Sequence, residues 1–244
     1  MSVHSSQRKR RRDNNRLKFK GVSHNEFLLR IKKTLYYGEM PVGDTFSLPV
    51  TEFAAELYSK VKAGRSLERL RLEEAAEISH NTCVSPCCLV LAMLYLDRLK
   101  TCNPAYLNKA VPSELFLISA MVANKFLNDD GEEDEVINCE WAASAGLDLK
   151  DVNHLEKEFL KAIDWHVFVK DTSFWSRLRS MERDIALKEG KRRGWFSYTE
   201  LENLLDSLDI ITLAQTIVAV SHNLPYNNAF FYPLLFILYM PWVY

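Results

Sequence analysis

An all-α fold is predicted for this 244-residue chain by three features of its sequence: scarce glycine and proline, apolar residues at helical spacing, and two nearly uncharged helices in succession. With 8 Gly and 8 Pro, the chain has few of the residues that punctuate strands and turns, and its apolar positions recur every three or four residues rather than alternating. Apolar residues make up 48%, enough for one substantial core with appended helices. A net charge of −1 gives the whole molecule no pull toward nucleic acid or an acidic membrane.

Residues 1–22 read as a disordered basic tail, with Arg8, Lys9, Arg10, Arg11 and Arg12 in an unbroken run. Such a run serves as a nuclear import address, a phosphate-binding arm or a solubilising tail, and the sequence leaves all three open. Residues 23–65 hold flanking helices. Ser23 and Glu26 form a capping box ahead of Phe27, Leu28, Ile31 and Leu35, and Gly38 is the stop. A second helix starts after Pro49, with Phe53, Leu57 and Val61 on one face before Gly64. Ser66 to about Ser79 reads as a third.

Ser85 followed by Pro86 marks a helix start, because serine caps free N–H groups and proline suits the first helical position. From Cys87 through Leu96 no residue is charged, so this helix is enclosed on every side. It is too short to span a bilayer and ends in Asp97, Arg98 and Lys100. The pattern repeats with Pro112, a capping Ser113, the apolar run Leu115 to Ala123, and a close at Lys125, Phe126 and Leu127. Two enclosed helices imply a bundle with central members. A helix over Trp141–Ala145 stops at Gly146, and after Asp151 as cap, Val152, Leu155, Phe159 and Ile163 mark an amphipathic helix running into Trp165.

Catalytic signatures are missing: there is no G-x-G-x-x-G, P-loop, H-E-x-x-H or G-x-S-x-G. The acidic run from Asp129 to Glu135 has Asp134 where a calcium loop needs glycine, so it reads as a solvated loop. Cys83, Cys87, Cys88, Cys102 and Cys139 form no disulfide framework, and Cys83, Cys87 and Cys88 have no second ligand pair at zinc spacing. They read as packing thiols in a reducing, intracellular setting. No metal, cofactor or small-molecule substrate is expected, and the chain reads as a non-enzyme.

Three segments in order, Tyr95-Leu96-Asp97-Arg98, Asn124-Lys125-Phe126-Leu127 and Asn153-His154-Leu155-Glu156-Lys157-Glu158-Phe159-Leu160, closely resemble the cyclin box. The variant is that of the Pho-type (phosphate-system) cyclins and their animal relatives, the Pas/Pho-type cyclin domain-containing proteins, and the match covers about residues 66–168. The resemblance implies five helices, near 66–80, 86–100, 113–127, 139–145 and 152–164, and a partner, a cyclin-dependent protein kinase. In cyclins a lysine closing the third helix and a glutamate in the fifth grip the kinase beside its movable C-helix. Those roles fall on Lys125 and Glu156, with Phe126 as an apolar neighbour. Helical spacing supports Glu156, one turn after Val152 beside the apolar stripe, over Glu158, which points away. The resemblance also implies that Asp97 is largely internal and pairs with an arginine of the first box helix, for which Arg69 and Arg71 are the candidates. The Met-Arg-Ala-Ile-Leu type of segment used for substrate docking is missing. Arg98 is expected to serve its own helix end.

Residues 169–222 are expected to flank the box and pack on it, too short for a second one. Phe174, Leu178, Met181 and Ile185 form one helix before Gly190, and Ser197 with Glu200 begins another through Leu204, Leu208 and Ile211. Ile210 to Tyr244 contains no Asp, Glu, Lys or Arg. Residues 223–244 form a hydrophobic tail, read either as a membrane anchor interrupted by Pro225, Pro233 and Pro241 or as an extension packed on the core. The end at Tyr244 reads as that of a fragment or unusual isoform. Alternatives to kinase activation are a cyclin-fold scaffold at a membrane, and a nucleic-acid factor of the transcription factor IIB sort, against which the box shows no basic stripe.

Overall fold

The computed structural model describes residues 24–35, 46, 48–60, 69–82, 84–127, 137–205 and 208–221, and among these it contains only helices. They are α1 (His24–Thr34), α2 (Leu48–Lys60), α3 (Leu72–Asn81), α4 (Pro86–Cys102), α5 (Pro104–Lys109), α6 (Pro112–Leu127), α7 (Asn138–Ala145), α8 (Leu149–Ala162), α9 (Asp171–Arg193), α10 (Tyr198–Leu205) and α11 (Ile210–Ser221). Two compact units divide the chain, one through Ile185 and the other from Ala186 onward.

The first unit is built around α4 and α6. Ser85 starts α4 as expected, its Oγ accepting from the Cys88 N–H at 3.1 Å while Pro86 takes the first helical position. Cys88 through Met93 are buried on every side of the helix, and so is every residue of α6 from Leu115 to Asn124. The two pack on each other, and the Cys88 thiol donates to the Ala120 carbonyl at 3.1 Å. Burial pushes that thiol well above its usual range, which keeps it protonated. The other helices form the sheath. From α2, the Tyr58 ring stands edge-on to Phe116 at 5.1 Å and its hydroxyl shares a 2.7 Å hydrogen bond with Ser119. From α8, Phe159 meets Tyr95 of α4 and Tyr106 of α5 edge-on, each at 6.4 Å. Trp141 of α7 is fully buried, and α3 lies against α6 and α7. Helices α3, α4, α6, α7 and α8 make up the five-helix box.

Several local expectations shift. The buried face of α2 is Val50, Thr51, Ala54, Ala55 and Tyr58, while Phe53 and Leu57 are only half-buried. Small residues bring α2 close to α6, so the tyrosine hydroxyl rather than the larger apolar groups points inward. Helix α6 begins at Pro112, so Ser113 lies within the first turn. Helix α8 begins at Leu149 after Asp148, which leaves Asp151 inside the first turn, where its charge complements the free N–H groups. Helix α5 is additional to the expected set; Asn103 caps it by accepting from the Tyr106 N–H at 3.0 Å. Gly146 stops α7 with a left-handed φ of 62°, as the sequence predicts.

Gly190 is not a stop. Helix α9 continues to Arg193, and Gly194, at φ 83°, is the left-handed residue that follows it. Gly190 is buried because the Phe196 ring lies on it: a Cβ there would stand 2.0 Å from the ring Cε1. The helix expected to run through Leu204, Leu208 and Ile211 is two, α10 and α11. Ser197 and Glu200 do form a reciprocal capping box, with the Ser197 N–H donating to Glu200 Oε2 at 2.7 Å and the Glu200 N–H to Ser197 Oγ at 3.4 Å. Asp209 then caps α11, accepting from the Thr212 hydroxyl at 2.7 Å and its N–H at 2.9 Å, and these bonds hold its carboxyl below the usual range.

In the first unit α1 is tied to α9 by a buried carboxylate. Glu182 accepts from Arg30 Nε at 3.0 Å, Arg30 Nη2 at 2.5 Å and Thr34 Oγ1 at 2.8 Å. Among the described residues no helix is long and apolar enough to cross a membrane. The basic run, Ser23, Gly38, Val61, Gly64, Cys83, the acidic run and the hydrophobic tail lie outside the described residues.

Replacing Gly190 by Ala should destabilise the chain by about 1–3 kcal/mol through overpacking against Phe196. In a helix with open space the same change is worth about 1 kcal/mol in the opposite direction. A thermal midpoint that rises would refute the packing account. Burial also raises the hydroxyls of Tyr58, Tyr95 and Tyr106, the last to about 12. Above pH 10 the unfolded chain therefore binds fewer protons than the folded one, so stability should fall as pH rises from about 10 toward 12 and be unaffected by these groups below that window. Denaturant titrations at pH 9 and pH 11 would read the difference.

Candidate functional site

Lys125 is the first charged residue after the enclosed stretch of α6, and it sits in the last turn, where the helix leaves the core. Glu156 follows the buried Val152 by one turn of α8, which places its carboxylate at the rim rather than in the core. The structure brings the two together: Lys125 Nζ donates to Glu156 Oε1 at 2.6 Å. Their side chains keep 31% and 16% of their exposure, so the pair is shielded on one side and open on the other. Phe126, the next residue after Lys125, is half-buried and packs on the core. Glu158 points away, as its position on the helix predicts, and takes a 2.9 Å hydrogen bond from Lys161 that holds its carboxyl below the usual range.

Two further residues belong to this site. Asn138, the first residue of α7, donates from Nδ2 to Glu156 Oε2 at 3.0 Å and to Asn153 Oδ1 at 2.6 Å. Asn153 stands three residues before Glu156 on α8, a spacing that puts both on one face and was open to sequence reading. Asn138 had no such signal, since its role depends on how α7 docks against α8. The site thus draws on α6, α7 and α8, and presents a matched cation and anion, with Phe126 next to Lys125 in sequence. Among the described residues no group of three His, Cys, Asp or Glu could hold a metal ion.

Asp97 is placed differently from the expectation. Its side chain keeps 39% of its exposure, and its partners are Lys100, at 2.9 Å, and Arg177 of α9, whose Nε lies 3.3 Å away. Arg69 is exposed just before α3, and Arg71 is exposed with Glu73 at 3.9 Å. The reason is where α4 ends: its last turns face the segment leading into α9, not α3. Tyr95 donates its hydroxyl to the Val167 carbonyl at 2.9 Å, and Arg98 Nη2 donates to the Phe168 carbonyl at 3.1 Å. Arg98 therefore latches the segment after α8 rather than serving its own helix end.

Comparison with known proteins identifies the family. A family model described as Cyclin matches residues 18–167, more than half of the chain. The chain belongs to the cyclin family. Its relatives include the plant cyclins Cyclin-U4-1 of Arabidopsis thaliana, 31% identical over 42% of this chain and 50% of that protein, and Cyclin-P2-1 of Oryza sativa subsp. japonica, 31% identical over 44% and 48%. Cyclin-U1-1 of Arabidopsis thaliana is 29% identical over 52% of this cyclin and 63% of the relative. The chain spans about half the length of the first curated relatives it matches. No solved structure gave a significant match.

Proposed function

We propose that this cyclin is a regulatory subunit that binds a cyclin-dependent protein kinase and holds it in its active shape, with Lys125, Glu156 and Phe126 as the gripping edge. The observation that carries the reading is the 2.6 Å pairing of Lys125 with Glu156, two residues from separate helices brought to one rim. We place it in the Pho-type branch with its animal relatives, a reading supported by the P-type rice cyclin and by the three segments quoted above.

The kinase brings its own catalytic lysine and C-helix glutamate, which work only when assembled. A rigid partner favours the assembled state by its differential affinity for the two states and by no more than that. A rim carried on three packed helices supplies such a partner. Its lysine and carboxylate offer hydrogen-bond donors and acceptors to backbone and side chains of a mobile segment, and Phe126 offers apolar contact. The role is regulatory: no step of phosphoryl transfer is assigned to this chain. A second reading, a cyclin-fold scaffold that does not activate its kinase and is held at a membrane, is favoured by the absence of Asp, Glu, Lys and Arg from residues 210–244.

The test is a charge exchange. Lys125→Glu alone sets two carboxylates against each other, whereas Lys125→Glu combined with Glu156→Lys restores their attraction with the charges transposed. The double variant should melt within a few degrees of the natural chain, yet lose at least about tenfold in capture of a cyclin-dependent kinase, as expected when charged hydrogen bonds are lost. Wild-type capture by the exchanged pair would refute the gripping edge. Kinase captured by the natural chain but inactive toward substrate would assign the scaffold role instead.

A further inference from the structure

We propose that Asn138 is a positioning residue that fixes the Glu156 carboxylate and thereby sets the geometry of the docking edge. Its role toward the kinase rests on the function proposed above; its hold on the carboxylate does not.

The hydrogen-bond inventory of the amide makes the assignment. Nδ2 carries two hydrogens, and both are used, one on Asn153 Oδ1 at 2.6 Å and one on Glu156 Oε2 at 3.0 Å. Both partners are acceptors, so the amide has one possible orientation, with nitrogen toward α8. Lys125 takes the other carboxylate oxygen, Oε1, at 2.6 Å. Each oxygen of Glu156 is therefore held from a different helix, which removes the rotation of the terminal carboxylate that glutamate otherwise retains. Without Asn138 the carboxylate would have Lys125 as its partner on one oxygen only, and that partner is long, flexible and a third exposed.

Asn138 is well mounted for this task. It opens α7 immediately after the cap residue Ile137, whose carbonyl accepts from the Glu140 N–H at 2.9 Å and the Trp141 N–H at 3.3 Å. Trp141, in the next turn, is fully buried and anchors the helix in the core. A side chain on a packed helix terminus orients a neighbour better than one on a loop. Asn153 completes the arrangement by occupying the second amide hydrogen, which leaves the first aimed at Glu156.

Two variants and two readouts test the inference. Asn138→Asp keeps the shape, replaces both donors with an anion, and places a negative charge at a helix start, where it does not weaken the helix. Asn138→Ala removes the amide without adding charge. Treated with a carbodiimide, the natural chain should form a Lys125–Glu156 amide cross-link, scored by mass spectrometry against a Lys100–Asp97 cross-link in the same sample, whose atoms lie 2.9 Å apart on α4. Both variants should lower the first yield severalfold and leave the second unchanged, with helical content preserved and the melting temperature lowered by a few degrees at most. Kinase capture should weaken severalfold, because a carboxylate left free to rotate has to be ordered on binding. An unchanged Lys125–Glu156 yield in both variants overturns the inference. A reduced yield with undiminished kinase capture overturns the role of Asn138 at the docking edge. If the natural chain captures no kinase while the cross-link responds as expected, the proposed function fails and the hold on Glu156 stands.

Discussion

The mutual enclosure of α4 and α6 is the constraint on which the rest of the molecule depends. Neither helix has a polar face to offer water over its central turns, so each must be covered on all sides, by the other and by surrounding helices. Each buried Leu, Phe or Met in them contributes about 1.5–3 kcal/mol relative to exposure, and the cover is what makes that contribution available. The chemistry of the surface then follows from where these helices emerge. Lys125 and Asp97 are the first charged residues after the enclosed stretches of α6 and α4, and each forms its ion pairs where its helix leaves the core. The candidate site is thus placed by the packing of the two central helices rather than by a loop.

A rigid mount of this kind matters more than the strength of any one ion pair. Glu156 lies on α8, which is locked to α4 and α5 by the Phe159 ring contacts, and Asn138 lies on α7, which is locked by the buried Trp141. Relative motion of the backbones that carry Lys125 and Glu156 requires α6 to slide against α8, which would disturb a close-packed core. An adaptor that biases another protein between two shapes has to resist the same deformation itself. The architecture provides that resistance at the Lys125–Glu156 rim, where the docking edge is proposed.

Legibility in the sequence followed the range of the interaction. The enclosed helices, the Ser85 cap, the Gly146 stop and the Ser197–Glu200 box depend on residues within one or two turns, and each was readable. Gly190 and Gly194 look alike in sequence, and only the fold shows the first inside α9 under the Phe196 ring and the second just after it. The arginine beside Asp97 lies 80 positions away at Arg177, and the Glu182 partner lies at Arg30. No periodicity reaches so far, because a charged residue on a helix surface is compatible with many partners until the helices are docked. At the candidate site, helical phase favoured Glu156 over Glu158, whereas Asn138 depended on the docking of α7 and was invisible.

The energetics of the edge bear on how it can act. In the free chain Lys125 and Glu156 already satisfy each other, so a partner that engages them replaces one set of hydrogen bonds with another. Exchanges of that kind contribute little net affinity and a good deal of orientation, because a partner that presents the wrong charge leaves both groups half-buried and unpaired. In the proposed complex affinity then comes mainly from apolar surface, for which the half-buried Phe126 is the proposed contributor. Under the proposed function, a charged pair that selects register and apolar surface that supplies binding energy divide the work in the way expected of a subunit that holds its partner in one particular shape.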